Sequence, residues 1–340
     1  MNSRILSVHE AQMTFDHQFS LFSSFGQRQL IQSFLLDEIE STNRIEAIRS
    51  TRHDIFSVIT KAESTHDEKI VSIANAYRML SESGGRNLVC AEDVRTVYDE
   101  LLRGAVGKTD LPDGTLFRKK DVCITDGIKD IHTGMQGEER IISAINEFLK
   151  LYNSSAEIYT RMLLSHFMFE MIHPFYNGNG RMGRYLISNG LYRGTGSHTA
   201  FLISRAFDKE KSKYYKAFKK AEDIHEFRCL NEYLAIMLDI LQHEFVSKTE
   251  LLKEKQKSIQ QIRVPESFTE SGKEIYHLIA EASLLSDFGI SNQEIIDEAG
   301  ISKRTLLYSM KEFRRLGVIQ DKQFGRITFH KLKDHCSGTL

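Results

Sequence analysis

One segment of this 340-residue sequence, residues 173–184, combines residue types that suit the binding of a phosphate group. Pro174 should end the preceding helix and leave His173 at the edge of a loop, where its imidazole can face a ligand. Gly178 and Gly180 allow close approach of the backbone, and a Gly-Asn-Gly turn that opens a helix points unpaired amides outward. The segment therefore predicts an anion site beside a histidine.

Two arginines follow in the first turns of that predicted helix. Arg181 and Arg184 stand three residues apart and so share one helical face, and guanidinium groups suit the oxygens of a polyphosphate. Taken singly, a His-Pro pair, a Gly-x-Gly turn and two spaced arginines usually indicate a helix end, a turn and a solvated face. Their occurrence together in one short segment favours nucleotide binding.

The elements that must position this segment are predicted to be helices. The chain has only 3 prolines, so long helices are permitted almost everywhere. Residues 28–48, 71–80 and 138–152 show the spacing of amphipathic helices. Residues 158–172 are apolar on every side, which is typical of a helix at the centre of a core, and they lead directly into Pro174.

Residues 173–184 resemble the signature of the Fic family, His-Pro-Phe-x-[Asp/Glu]-Gly-Asn-Gly-Arg-x-x-Arg, at every position but one. A less specific resemblance covers residues 28–233. The resemblance to the Fic family implies an all-helical Fic domain that transfers AMP from ATP to a protein hydroxyl. The roles that it implies are general base for His173, anion hole for Gly178, Asn179 and Gly180, polyphosphate binding for Arg181, and γ-phosphate binding for Arg184.

The one departure is Asn177, which stands where the family usually has an acidic Mg²⁺ ligand. An amide oxygen is still a hard ligand, and Mg²⁺ relies largely on phosphates and water, so we expect a Mg²⁺ site of reduced affinity, or a preference altered toward Mn²⁺. The alternatives are a slow enzyme and a degenerate nucleotide sensor. We do not expect a metal site at His166, Glu170 and His173, because a histidine in so apolar a helix is more often a core residue.

Residues 41–47 resemble the inhibitory helix of the same family, [Ser/Thr]-x-x-x-Glu-[Gly/Asn], through Thr42 and Glu46, and depart from it at Ala47. A carboxylate paired with Arg184 would occupy the cation that the γ-phosphate needs. We therefore expect Glu46 to hold the enzyme inhibited. The alternative is an ordinary N-capped helix, because Ser or Thr followed by Glu is common at helix starts.

The turn Pro112-Asp113-Gly114 and the alternating run that follows it predict a short β-hairpin over residues 114–126. This hairpin resembles the flap of the Fic family, with Val122 and Ile124 as docking positions. An exposed hairpin edge can pair with an extended target segment and hold its hydroxyl near His173. The alternative is a hairpin with a structural role only.

The domain organisation is predicted from a shift in composition. Residues 248–265 are rich in Lys, Gln, Glu and Ser and have a sparse apolar pattern, which indicates a helical linker. We therefore divide the chain into an N-terminal helical region (1–110), a Fic core with the flap and the catalytic motif (111–247), this linker, and a C-terminal domain (266–340).

The C-terminal domain is predicted to have three short helices followed by a two-stranded hairpin, which is similar to a winged helix-turn-helix. Ser302 and Gly317 bound the third helix, which carries several basic side chains. We expect Lys303, Arg304 and Tyr308 to face the bases or phosphates of DNA. The alternative is a protein-docking module.

Composition adds few constraints. The formal net charge of -1 favours neither nucleic acid nor membrane as a partner of the whole chain. The 4 cysteines have neither disulfide-framework nor zinc-ligand spacing, which is typical of a reducing cytoplasm. No stretch approaches the ~20 apolar residues that span a bilayer, and the first residues have no apolar signal region. We expect a cytoplasmic protein without a membrane partner.

The function that these patterns favour is that of a protein adenylyltransferase, which AMPylates a Ser, Thr or Tyr of a target protein or of itself with ATP and Mg²⁺ and is auto-inhibited by Glu46. One alternative is a nucleotide-sensing, DNA-binding transcriptional regulator with weak or no transferase activity. Another is a deAMPylating Fic enzyme in which Glu46 orients a water. The expected fold is mainly α, with an all-helical Fic domain, a hairpin flap and a winged helix-turn-helix. A homodimer is left open.

Overall fold

The computed structural model of the chain describes residues 1–61, 67–125, 130–222 and 230–333, and gives 123–125, 130–133 and 222 without side-chain detail. Contacts divide the chain into two compact units. The first comprises residues 1–16, 35–55 and 65–246, and the second comprises residues 17–34, 56–64 and 247–340. Within the described residues, every helix is too short or too polar to cross a membrane.

Helices dominate the chain, as the sequence predicts, so the mainly α fold class is confirmed. In chain order the elements up to residue 260 are α1 (Asn2–Ser20), α2 (Ser24–Ile45), α3 (Arg52–Ile59), α4 (Glu68–Ser83), α5 (Ala91–Leu101), a 3₁₀ helix (Lys108–Asp110), β1 (Cys123–Thr125), β2 (Asp130–Thr133), α6 (Glu138–Tyr152), α7 (Ile158–Ile172), α8 (Asn179–Thr195), a 3₁₀ helix (His198–Leu202), α9 (Ile203–Lys209), α10 (Lys211–Glu222) and α11 (Leu230–Gln260).

Helix α7 lies at the centre of the first unit, where it packs against α6 and α8. Its N-terminus is capped by the Glu157 carboxylate, which accepts hydrogen bonds from the amides of Tyr159 and Thr160. Glycine allows α8 to approach closely, because a Cβ at Gly190 would be 2.1 Å from the sulfur of Met162. The apolar circumference of α7 is therefore explained by neighbours on more than one side.

After residue 260, the described part of the second unit contains the helices α12, α13 and α14 and a three-stranded antiparallel sheet of strand order β3-β5-β4. Its elements after residue 260 are α12 (Glu270–Leu285), β3 (Ile290–Ser291), α13 (Asn292–Ala299), α14 (Lys303–Leu316), β4 (Ile319–Phe324) and β5 (Ile327–Leu332). The hydroxyls of Ser291 and Ser302 cap α13 and α14, and Gly300 and Gly317 end these helices in the left-handed conformation. Local capping signals thus define both helices.

The predicted hairpin over residues 114–126 is displaced in the structure. Strand β1 pairs antiparallel with β2, so the paired strands comprise residues 123–125 and 130–133. Residues 114–122 form no strand, and Phe117 and Arg118 are buried. Tertiary packing of these two side chains prevents the earlier part of the segment from forming the exposed strand that its alternation indicates.

The predicted domain boundaries at residues 110 and 248 stay a prediction, and the units of the structure follow a different division. The predicted linker over 248–265 coincides for most of its length with α11, which is continuous from residue 230 to residue 260. The second unit also includes residues 17–34 and 56–64 from the N-terminal part of the chain.

Two ionisable side chains of α7 are buried beside α8. The Nε2 atom of His166 lies 2.9 Å from the Tyr214 hydroxyl, and its Nδ1 lies 3.8 Å from Oε1 of Glu170. A Cβ at Gly183 would collide with both groups. Burial, followed by the charge of Arg184, lowers the pKa of His166 to about 3, and burial raises the pKa of Glu170 to about 8. Both side chains are therefore neutral near pH 7.

We expect the protonated state of Glu170 to make stability depend on pH. The raised pKa means that the folded chain holds a proton that the unfolded chain releases, so stability falls as pH rises from the unfolded-state pKa towards about 8. Glu170→Gln is neutral throughout and lacks this term. As pH rises from about 5 to 8, the free energy of unfolding of Glu170→Gln relative to that of the wild type should therefore increase by roughly 2 to 4 kcal/mol.

Urea unfolding across this pH range measures the difference. The control is Glu147→Gln, which makes the same change at an exposed position of α6. Curves for Glu170→Gln and wild type that stay parallel across the pH range would contradict the expectation.

Candidate functional site

The loop between α7 and α8 places His173 in an unusual backbone conformation. His173 is the C-cap of α7 with φ 51° and ψ 60°, in the left-handed region that few non-glycine residues adopt. Its Nδ1 lies 3.2 Å from the carbonyl oxygen of Glu170. A hydrogen bond to that acceptor assigns the ring proton to Nδ1 and makes Nε2 the basic nitrogen.

Asn179 stabilises the loop from within. Its Oδ1 accepts a hydrogen bond from the amide of Phe175 at 3.0 Å, and its Nδ2 donates to the Phe175 carbonyl at 2.8 Å. The Phe175 ring stacks on Tyr98 with the ring centroids 3.5 Å apart. The buried Asn179 side chain therefore holds the loop in shape, which leaves only its backbone for the anion hole that the resemblance implies.

The N-terminus of α8 has the features of an anion site. Gly178 is the N-cap with φ 86° and, as a glycine, provides no side chain to cap the helix. Arg181 is buried, and its Nε has no hydrogen-bond partner among the described residues. Burial lowers the pKa of Arg181, and the nearby Glu46 carboxylate opposes this effect. Amides of the first turn and a buried cation without a partner at Nε together favour an anionic ligand.

Arg184, on the next turn of α8, is buried and contacts the residues at the end of α2. Its Nε donates to the Thr42 hydroxyl at 2.9 Å, and one terminal nitrogen donates to the Thr42 carbonyl at 3.2 Å. The same nitrogen forms an ion pair with Oε1 of Glu46 at 2.8 Å. The structure thus brings together Thr42, Glu46 and Arg184.

The Glu46 carboxylate lies over the first turn of α8. A Cβ at Gly180 would be 2.4 Å from Oε1 of Glu46, so only glycine leaves room for it there. Burial acts to raise the pKa of Glu46, but Arg184, with smaller contributions from Arg181 and Lys211, holds this pKa below its usual value. Glu46 is therefore ionised at neutral pH and occupies space that another anion would need.

The residue after Glu46 has a strained backbone. Ala47 is exposed and has φ 55°, again in the left-handed region. The family pattern has Gly or Asn at this position, the two residues that adopt this conformation most readily. Ala47 in place of Gly or Asn therefore makes this left-handed backbone conformation more costly for the turn that carries Glu46.

Arg118 connects the base of the hairpin to the His173 loop, although the sequence placed it on the exposed flap. It is completely buried. Its guanidinium donates to the main-chain carbonyls of His173 at 2.8 Å, Lys120 at 2.7 Å and Met135 at 2.8 Å. A Cβ at Gly134 would be 2.5 Å from this guanidinium. One side chain therefore joins both ends of the hairpin to the carbonyl of the candidate base.

The two predicted docking positions lie at the start of the hairpin. Val122 is half-buried, and its carbonyl accepts a hydrogen bond from the amide of Gly134 at 3.0 Å. Ile124 pairs with His132 in the backbone register, and its side chain lies outside the described part of the chain. Their role in docking stays a prediction.

The predicted metal position is exposed. The carbonyl of Asn177 accepts a hydrogen bond from the Tyr98 hydroxyl at 3.0 Å, and its Nδ2 lies 3.4 Å from Oδ2 of Asp110. In the described ranges of the chain, no group of three His, Cys, Asp or Glu side chains is arranged to hold a metal ion.

Sequence reasoning missed Tyr98, Asp110 and Glu138 and misplaced Arg118. Glu138 accepts hydrogen bonds from the amides of Leu116 and Phe117 and so anchors the segment before the hairpin. No periodicity marks these positions. The one available signal was the placement of a charged residue, Arg118, directly beside an aromatic residue in a short segment rich in turns.

The predicted DNA-contacting residues lie on α14 in the second unit. Lys303, Arg304 and Tyr308 are all exposed, and 69% of the Tyr308 surface is accessible. Arg314, on the same helix, pairs with Asp321 of β4. Exposed basic residues thus lie along the whole of α14, with Lys303 and Arg304 near its N-terminus and Lys311 and Arg315 in its C-terminal half.

We expect Arg118→Met to destabilise the chain, because it removes a buried side chain that donates to three main-chain carbonyls. The expected loss is about 3 kcal/mol in the free energy of unfolding. Hydrogen exchange at the amide of Gly134, which bonds to the Val122 carbonyl, should become faster. The control is Arg140→Met, an exposed position on α6, which should change stability by less than about 0.5 kcal/mol. Equal effects of the two substitutions would contradict the anchoring role.

Comparison with known proteins identifies this region. Residues 88–191 match the model of the Fic/DOC family. The chain is 30% identical over 195 residues to "Protein adenylyltransferase Fic" of Drosophila willistoni, which covers 51% of this chain and 36% of that protein. It is 30% identical over 127 residues to "Probable protein adenylyltransferase" of Aquifex aeolicus, covering 37% and 35%. The chain thus spans little more than a third of the curated relatives that it matches.

Solved structures agree at the level of the fold. A Fic family protein from Desulfovibrio desulfuricans has a TM-score of 0.57 at 16% identity, covering 96% of both chains. A Fic domain containing signaling protein from Bacteroides thetaiotaomicron has a TM-score of 0.53 at 14% identity, covering 72% of this chain and 95% of that one. The helices α6 and α7, most of α8 and the loop that carries His173 therefore lie in the region that matches the Fic/DOC family model, and the chain shares its fold with these solved structures.

Proposed function

We propose that this chain is a protein adenylyltransferase that transfers AMP from ATP to the hydroxyl of a Ser, Thr or Tyr of a target protein or of itself. The observation that carries the proposal is the ion pair of Glu46 with the buried Arg184, over the uncapped N-terminus of α8. A site built for anions is here filled by a carboxylate of the same chain. The names of the curated relatives supply the reaction class.

The proposed chemistry is an in-line displacement at the α-phosphorus of ATP. The target hydroxyl oxygen forms the new bond to the α-phosphorus, and the bond from this phosphorus to the bridging oxygen of pyrophosphate breaks. His173 accepts the hydroxyl proton at Nε2, consistent with the proton assignment at Nδ1. Such a base typically contributes about 10² to 10⁴ in rate. Amides of α8, Arg181 and Arg184 would stabilise the charge on the phosphates.

The proposed cofactor is Mg²⁺, with Mn²⁺ as the alternative. Asn177 and the nucleotide phosphates would hold it, and Mg²⁺ is commonly bound by few protein ligands together with phosphates and water. When bound, it would neutralise charge on the phosphates during displacement.

Glu46 is the proposed inhibitor. Its carboxylate engages the guanidinium that the γ-phosphate would need, and its lowered pKa keeps it charged. ATP would bind productively only after this carboxylate moves. The contact with Arg184 is the observation that supports the inhibitory role.

Removing the Glu46 carboxylate should release the activity. With α-³²P-ATP, we expect Glu46→Gly to label itself or a target protein at least about tenfold more than the wild type, since a charge-assisted hydrogen bond contributes about 1.5 to 3 kcal/mol. Adding His173→Ala should abolish the label. Parallel reactions with Mg²⁺ and Mn²⁺ report how Asn177 affects the metal preference.

A matched pair of isosteric variants isolates the charge. Glu46→Gln should be activated, whereas Glu40→Gln, which changes a carboxylate of α2 that pairs with Arg44 and Arg52, should resemble the wild type. If no variant is labelled although ATP binds, transfer is excluded and the chain is better described as a nucleotide-sensing regulator.

We propose DNA binding as a second function, carried by the second unit. The order α12-β3-α13-α14-β4-β5 with a β3-β5-β4 sheet supports a winged helix-turn-helix with α14 as recognition helix. The cations that support DNA contact are Lys303 and Arg304 near the N-terminus of α14 and Arg326 in the turn between β4 and β5, all exposed. Lys322, by contrast, lies over the rings of Phe288 and Phe324.

Lys303→Ala and Arg304→Ala should each weaken binding to duplex DNA. Removing one cation that binds a phosphate should also lower the slope of log affinity against log salt by about 1. The control is Lys257→Ala, an exposed lysine of the same unit on α11. Fluorescence anisotropy at several salt concentrations measures both quantities. An equal loss of affinity for Lys257→Ala, or unchanged slopes, would show that α14 is not the DNA-binding face and would favour a protein-docking role.

A further inference from the structure

A carboxylate lies beside the amide that replaces the expected metal ligand. Asn177 is exposed at the end of the His173 loop, and its Nδ2 is 3.4 Å from Oδ2 of Asp110. Asp110 ends the 3₁₀ helix Lys108–Asp110 and precedes Asn177 by 67 positions. Two polar side chains from distant parts of the chain thus meet two residues before α8.

Both partners are held by their backbones. The Tyr98 hydroxyl donates to the carbonyl of Asn177, and the Tyr98 ring stacks on Phe175. The amide of Asp110 donates to the carbonyl of Gly107 at 2.9 Å, which closes the 3₁₀ turn. The approach of the two side chains therefore follows from the packing of α5 against the loop and from the 3₁₀ turn.

The pair has the spacing of two ligands of one cation. Neighbouring oxygens about 2.0 to 2.1 Å from an octahedral Mg²⁺ are about 2.9 Å apart, and the larger Mn²⁺ requires a little more. The terminal atoms of Asn177 and Asp110 are 3.4 Å apart. A half-turn of the amide about its last torsion presents Oδ1 in place of Nδ2, which gives one amide oxygen and one carboxylate facing the same point.

We propose that Asp110 supplies the carboxylate ligand of the divalent cation that accompanies the nucleotide, in place of the acidic side chain that Asn177 has lost. The inference rests on the proposed nucleotide site at α8 and adds a ligand to it. One carboxylate, one amide oxygen and phosphate oxygens form a donor set that suits Mg²⁺ or Mn²⁺. The carboxylate reaches the cation from the 3₁₀ helix before the hairpin and not from the loop itself.

The competing role for Asp110 is a hydrogen bond to Asn177 that shapes the loop without any cation. The two roles differ in what restores function. With alanine at position 110, an acidic residue at position 177 would replace the lost metal ligand, but it would not restore the hydrogen bond, because neither side chain would then have an N–H to donate.

The test measures Mn²⁺ binding by electron paramagnetic resonance in the full-length Glu46→Gly chain, with ATP present. Asp110→Asn should weaken the affinity of the protein–ATP complex for Mn²⁺ by about tenfold or more and leave ATP binding in EDTA within about twofold. Asp110→Ala should weaken Mn²⁺ binding as well, and adding Asn177→Asp to Asp110→Ala should restore most of the Mn²⁺ affinity. The control is Asp99→Asn, an exposed carboxylate of α5 that pairs with Arg95, and it should change neither quantity.

The outcomes separate this inference from the proposed function. If Asp110→Asn resembles Asp99→Asn while ATP still binds, or if Asn177→Asp fails to restore Mn²⁺ affinity, Asp110 is not a ligand and the nucleotide site stands. If ATP binds to no variant with or without Mn²⁺, both the nucleotide site and the ligand are wrong. Thermal melts of each variant confirm that the comparison is between folded chains.

Discussion

A guanidinium buried as completely as that of Arg184 requires an anion beside it. Leaving a buried charge unpaired costs several kcal/mol, which is a large part of a domain's net stability. In this chain Glu46 provides the negative charge, and the Thr42 hydroxyl and carbonyl satisfy further donors. The ion pair of Glu46 and Arg184 therefore constrains how the end of α2, at residue 45, lies against the start of α8, at residue 179.

This constraint gives the proposed inhibition a physical basis. Exchanging the anion beside Arg184 costs less free energy than removing it, because an empty site leaves the buried cation without a counter-charge. A carboxylate and a terminal phosphate are chemically similar partners for the same fork of donors. Competition between them follows without any large rearrangement of the core, and the strained turn at residues 46–47 is the part of the chain that would have to move.

Local patterns predicted much of the fold. Helices α6 and α7 were predicted with the bounds that the structure has, because apolar spacing and Pro174 are signals within a single segment. The serine caps and terminal glycines of α13 and α14 are equally local. The hairpin was misplaced because its second strand follows residue 126, and because Phe117 and Arg118 pack into the interior, which alternation alone cannot reveal.

The site shows the same division between local and distant information. The His173 loop and the arginines of α8 lie in one short segment and were visible as a pattern. The contact of Glu46 with Arg184 joins positions 138 apart and was expected only from a family resemblance. Arg118 and His173 are 55 positions apart, and no family pattern or periodicity pointed to their contact. Burial of a charged side chain against main-chain carbonyls is decided by tertiary packing, which a single sequence does not display.

The left-handed conformation of Ala47 has a consequence for how the resting state is set. A residue other than glycine in the left-handed conformation costs about 1 to 2 kcal/mol. If the turn relaxes when Glu46 moves away from Arg184, only the closed state, in which Glu46 faces Arg184, has this cost. On the proposed function, an energy of this size changes the ratio of open to closed molecules by a factor of about 5 to 30. The basal output of the enzyme would then be adjusted by one methyl group on an exposed turn, while the ion pair itself stays unchanged. A substitution at this position would therefore change the basal activity without altering any residue that contacts the substrate.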